Sequence, residues 1–129
     1  MKLYKFILLC IIVSAFSCAG DVSGVIDISV EDLNKVIERD KKIQLLDVRL
    51  PIETREGVIL NAINVNLISD NFEANAVSVL DKDKPVYVYC RSGNRGRIAS
   101  KILIDKGYEV FNIKGGYKNW LKEEKDTLP

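Results

Sequence analysis

Cys90-Arg91-Ser92-Gly93-Asn94-Arg95-Gly96 is the stretch of this 129-residue chain whose residue types and spacing could do chemistry. It follows the apolar run Val86-Tyr87-Val88-Tyr89 and leads into a segment of helical periodicity, Arg97 to Lys106. A thiol at the end of a buried strand, on a polar loop opening into a helix, meets unpaired backbone N–H groups and the positive end of the helix dipole. Both favour the thiolate, which is the nucleophilic form of the side chain. Arg91 and Arg95 add full positive charge, Gly93 allows a tight backbone and Asn94 tolerates a left-handed one. Most free cysteines are small buried hydrophobes. The basic and polar neighbours of Cys90 point instead to a reactive sulfur.

Such a loop needs a sheet to carry it. Val25-Ile26-Asp27-Ile28, Ile43 to Asp47, Ala62-Ile63-Asn64-Val65, Val86 to Tyr89 and Val110 to Ile113 read as five short strands. Helical signals alternate with them. Ser29 caps a helix with Leu33, Val36 and Ile37 on its apolar face, ending around Arg39. Asn71 to Leu80 is a second, short helix. Ile98, Ile102 and Leu103 are expected to bury the third, which Lys106-Gly107 stops. After Gly115-Gly116 a last helix turns Tyr117, Trp120 and Leu121 inward. This alternation predicts an α/β domain with a central, mostly parallel five-stranded sheet and helices on both faces. The ligand site of such a sheet lies beyond the carboxyl ends of its strands, where Cys90 falls.

The domain is expected to span residues 25–129. Residues 1–17 carry Lys2 and Lys5, then the apolar run Phe6 to Val13, and no acidic residue. That is the pattern of a secretory signal peptide, and the run is too short to span a bilayer, which takes about 20 residues. Ala15-Phe16-Ser17-Cys18 resembles the lipobox of bacterial lipoproteins, although Ala15 stands where leucine is usual. The expected product is cleaved before Cys18, lipidated on it, tethered through residues 18–24, and anchored to a bacterial membrane facing the periplasm or exterior. Ordinary cleavage near Ala19 is the plainer alternative. The full chain has 19 basic and 18 acidic residues. Loss of Lys2 and Lys5 changes its formal charge from +1 to −1, with no basic excess to attract nucleic acid. Of three cysteines, Cys10 goes with the leader and Cys18 is blocked, so Cys90 remains the one free thiol and no internal disulfide can form. The chain contains no histidine, which excludes Cys-His and Ser-His-Asp arrangements and histidine-ligated zinc. One thiol leaves little basis for a structural metal, and none is expected.

Three motifs resemble those of the rhodanese family. They are Leu45-Leu46-Asp47-Val48-Arg49, the Cys90 to Arg95 loop, and Gly107 to Trp120 with Gly115-Gly116 inside it; Glu53 to Asn64 is a weaker match. The likeness covers about Val25 to Pro129 in the family's order. It implies a sulfurtransferase. The Cys90 thiolate takes the outer sulfur of an anionic donor such as thiosulfate, holds it as a persulfide without any other cofactor, and yields it to a thiol or cyanide. Arg91, Ser92, Gly93, Asn94, Arg95 and Gly96 would form an anion-binding nest, with the two arginines neutralising the donor and leaving group. Asp47 and Arg49 would support the loop from the neighbouring strand end. Read without the family, they are a surface ion pair worth roughly 0–1 kcal/mol. Val58 stands where the family commonly has histidine, Leu60-Asn61 replace Pro-Gly, and Gly96 stands where serine or threonine is frequent. The last departure removes one possible hydrogen bond to sulfur.

Two other readings compete. Cysteine phosphatases and arsenate reductases of related fold resemble a cysteine followed by five residues and an arginine, whereas here the arginine comes one residue early, at Arg95. A rhodanese-like binding module without turnover is the second, although inactive members typically lose the cysteine. The domain is expected to be a monomer.

Overall fold

The computed structural model describes residues 24–127; the expected leader and Cys18 lie outside the described residues. Five strands, β1 (Ile26–Ile28), β2 (Gln44–Asp47), β3 (Ile63–Asn64), β4 (Val86–Tyr89) and β5 (Val110–Ile113), form one sheet in the order β1-β5-β4-β2-β3. Every pairing is parallel. Four helices alternate with them: α1 (Val30–Arg39), α2 (Phe72–Val79), α3 (Asn94–Asp105) and α4 (Gly116–Thr127). The α/β architecture with helices on both faces is as the sequence predicts, and the sheet is wholly rather than mostly parallel.

Strand alternation sorts the core into two layers. Val86, Val88 and Cys90 project into one, with Leu46, Val48, Phe72, Ala76, Ala99 and Leu103 beneath α2 and α3. Tyr89 projects into the other, with Val30, Leu33, Leu45, Ile59, Ile113 and Tyr117 beneath α1 and α4. Leu46, Val86 and Val88 in the central strands have no exposed surface, as a sheet covered on both sides requires. Ser29 caps α1 as expected, its hydroxyl accepting the Asp32 amide at 3.0 Å.

The third helix departs from its predicted face. It begins at Asn94, three residues before Arg97, and Ile98 is 57% exposed. The side against the sheet is Gly96, Ala99, Ser100 and Leu103. Small residues at that spacing bring the helix axis close to β4 and β5, and the approach turns Ile98 outward.

Gly96 is the tightest point of this packing. A Cβ built there would lie 2.3 Å from Oδ1 of Asn112, a residue of β5 that is 1% exposed. The Asn112 Nδ2 donates to Asp27 Oδ1 at 2.9 Å, and Asp27 pairs in turn with Arg97. Asn112 Oδ1 is left without a hydrogen-bond partner, facing the space a side chain at position 96 would take. The room for a hydroxyl at this position is therefore filled from β5. Gly96→Ala should displace the Asn112 amide and cost about 1–3 kcal/mol, as overpacking does. In urea unfolding, Asn112→Ala in the same chain should recover part of that loss; additive single effects would contradict the packing assigned to this pair.

Candidate functional site

Cys90 follows β4 directly and is 1% exposed, so its sulfur lies under the loop rather than on the surface. Gly93 takes the left-handed conformation (φ +116°) and turns its amide back onto the thiol, with N to Sγ 3.0 Å. Asn94 does not use the left-handed freedom predicted for it, because it is already the first residue of α3. Among the described residues, the amides of Arg91, Ser92, Asn94, Arg95 and Gly96 have no acceptor, and no side chain caps α3. The helix head beside the sulfur thus keeps its donors for an incoming group.

The loop is held from behind by the start of α4. The amides of Tyr117 and Lys118 donate to the carbonyls of Cys90 and Arg91 at 2.8 and 3.0 Å. Gly116 makes that approach possible: a Cβ there would sit 2.3 Å from the Cys90 carbonyl oxygen, and its φ is +57°. The predicted Gly115-Gly116 pair is the backing of the cysteine loop.

Asp47 and Arg49 are both fully buried, so the alternative of a surface ion pair does not hold. Arg49 Nε donates to both Asp47 oxygens at 3.0 Å, and Nη2 donates to Oδ2 at 2.6 Å. Its guanidinium lies 4.1 Å from the Tyr117 ring centroid and 5.7 Å from that of Tyr89. Burial works to discharge Arg49, but the Asp47 carboxylate outweighs it and the pKa is raised. The remaining Arg49 donors go to the carbonyls of Glu53 (3.3 Å) and Gly57 (2.7 Å). The pair therefore supports residues 53–57, and reaches the cysteine loop through them and through Tyr117, whose amide holds the Cys90 carbonyl.

Residues Glu53–Glu56 form one turn of 3-10 helix, in which side chains three apart share a face. Both carboxylates on that face meet the loop. Glu53 takes Arg95 in a two-point contact (2.6 and 2.8 Å), and Glu56 takes Arg91 at 3.4 Å. The arginines expected to stand free for a donor are thus each matched with an acid. The Arg95 hydrogen bonds, with help from the Leu50 amide, hold the Glu53 carboxyl down at about 2. Sequence reasoning assigned no role to Glu53 or Glu56. Their three-residue spacing facing the basic loop was the available signal. A cavity of about 350 Å³ lined by Val36, Arg39, Ile43, Lys84 and Tyr87, among others, opens at the other end of the sheet and contains none of the predicted site residues.

A carboxylate whose pKa is depressed in the fold stabilises it above the ordinary pKa and loses that contribution as pH falls through the depressed value. Glu53→Gln should therefore cost about 1–2 kcal/mol at pH 7, the scale of a partly buried charge-assisted contact. The gap from wild type should shrink between pH 4.5 and about 2. Denaturant unfolding across that range checks it, and a gap independent of pH would exclude the ion pair as its source.

Comparison with known proteins agrees with this geometry. The profile of the rhodanese-like domain family matches residues 29–123. The Bacillus subtilis protein YtwF is 36% identical over 101 residues, spanning 77% of this chain and 93% of that one. A sulfurtransferase of Allochromatium vinosum is 31% identical over 97 residues, 74% of this chain and 88% of its own. Among solved structures, a rhodanese-related protein from Thermoplasma volcanium superposes with a TM-score of 0.67 at 32% identity, covering 76% of this chain and 92% of that one. With the family profile matched over residues 29–123 and relatives above 30% identity spanning most of both chains, the chain belongs to the rhodanese-like domain family.

Proposed function

We propose that the protein is a sulfurtransferase that carries sulfur as a persulfide on Cys90. The observation carrying this reading is the Cys90 sulfur at the carboxyl end of β4, accepting the Gly93 amide beside the uncapped head of α3. The thiolate attacks the outer sulfur of a donor. A new S–S bond forms to Cys90, the donor's own bond to that sulfur breaks, and its electron pair leaves with the remainder of the donor. A thiol or cyanide then attacks the carried sulfur and Cys90 departs as thiolate. Neither step needs a histidine base or a resident metal. A sulfurtransferase among the relatives supports the reading. Export and lipid anchoring through Cys18 belong to the same proposal, and would leave Cys90 the single free thiol of a monomeric domain at a membrane surface.

The phosphatase reading fits less well. Arg95 is one residue early for a loop that wraps a tetrahedral oxyanion, and both terminal nitrogens of its guanidinium are engaged by Glu53. A binding module without turnover would have no use for a sulfur hydrogen-bonded at a helix head.

Incubation of the reduced protein with sulfane-sulfur donors, followed by intact-mass measurement, should show a gain of one sulfur atom. Cys90→Ser should show none, and a thiol or cyanide should remove the added mass from the wild type. No adduct with thiosulfate, polysulfide or an organic persulfide would overturn the sulfurtransferase reading.

A further inference from the structure

The charges around Cys90 restrict which donor it suits. Three guanidiniums stand at the carboxyl end of the sheet, and each has its own carboxylate: Arg49 with Asp47, Arg95 with Glu53, and Arg91 with Glu56. Only the last pair is open to solvent, its side chains 52% and 55% exposed. An exposed pair at 3.4 Å holds Arg91 weakly, so Glu56 does not lock the arginine in place. It acts through its charge. A carboxylate standing beside the one accessible loop guanidinium cancels most of the attraction that arginine offers an anion, and adds repulsion that grows with the anion's charge. Glu53 cannot relieve this by taking a proton, since Arg95 keeps it ionised at any ordinary pH. Other cations nearby, Arg55 and Lys118, are exposed on the 3-10 turn and on α4.

The segment that carries Glu53 and Glu56 also exposes apolar surface. Ile52 is 64% exposed, Val58 39% and Leu60 41%, and they flank the turn that carries Glu53 and Glu56. Leu60 is also the one non-glycine residue with positive φ (+47°) among the described residues. A rim of aliphatic side chains has nothing to offer a small inorganic dianion, and contacts an organic body well.

We propose that Glu56 is a specificity-determining residue that sets the site against dianionic donors and in favour of organic persulfides of low charge. This rests on the sulfurtransferase reading of Cys90. With such a donor, R–S–SH, the Cys90 thiolate bonds to the outer sulfur, the donor's S–S bond breaks, and the electron pair leaves on RS⁻. The proton stays on the transferred sulfur or passes to solvent. No net oxidation or reduction occurs. The departing thiolate carries one charge, where thiosulfate would have to be admitted with two and released as sulfite with two.

Second-order rates of Cys90 persulfide formation with thiosulfate and with hydroxyethyl persulfide, generated in situ, test this. Glu56→Gln should raise the thiosulfate-to-persulfide rate ratio about five-fold at low salt, the scale of one unit charge acting on another at contact distance in water. Raised ionic strength should erase most of that gain. Arg91→Gln should move the ratio in the opposite direction. Loading by both donors with a ratio that neither variant moves would overturn the role of Glu56 and leave the sulfurtransferase reading intact. Failure of both donors to load Cys90 would overturn that reading and this one together.

Discussion

The buried contact between Asp47 and Arg49 is what the rest of the site hangs on. Two charges separated only by Val48 are removed from water and stacked against two tyrosine rings, an arrangement whose desolvation cost is offset only if every donor and acceptor is used. Asp47 satisfies Arg49 from one side, and the Glu53 and Gly57 carbonyls satisfy it from the other. The segment after β2 has little regular structure of its own beyond one short 3-10 turn, so those two carbonyl contacts, with the Ile59 amide on the Tyr89 hydroxyl and the Tyr117 hydroxyl on the Glu56 carbonyl, fix where it runs. Its position in turn presents Glu53 and Glu56 to the cysteine loop. One ion pair in the core thus sets the electrostatics of a site on the opposite layer of the sheet.

Charge balance at the site follows from that geometry rather than from composition. The loop is basic when read by itself, and becomes nearly neutral once the 3-10 turn is folded over it. The amides of Asn94, Arg95 and Gly96 at the head of α3, by contrast, remain unpaired. Attraction for an anion at Cys90 therefore falls to short-range backbone dipoles, which act on the sulfur itself, more than to long-range charge, which would act on the whole donor. Selectivity at such a site is local.

Much of this was legible in the sequence, and the parts that were not share a cause. All five strands stand out because short apolar runs flanked by polar turns have few alternatives in a chain this size. The cysteine loop and the Gly115-Gly116 backing were legible as residue types. Ile98 was misread because isoleucine on a helix is expected to face the core, whereas the small side chains of Gly96, Ala99 and Ser100 won the contact by close approach. Gly96 could be seen as unusual, but its reason lies in Asn112, sixteen residues on in β5. Asp47 and Arg49 could be read as supports only from the family resemblance, because nothing local buries them; Tyr89 and Tyr117 pack on the guanidinium from distant positions. What escaped was the pairing of side chains across elements.

The bonds from the Tyr117 and Lys118 amides to the Cys90 and Arg91 carbonyls carry a consequence for how the molecule is made. The loop bearing the thiol comes from the middle of the chain, but its backing comes from the last helix, 26 residues further on. During synthesis, Cys90 emerges well before Gly116 can close on it. Until then it is an ordinary cysteine on an unfinished sheet edge. Completion of the chain, rather than emergence of the cysteine, is the event that assembles the sulfur's surroundings.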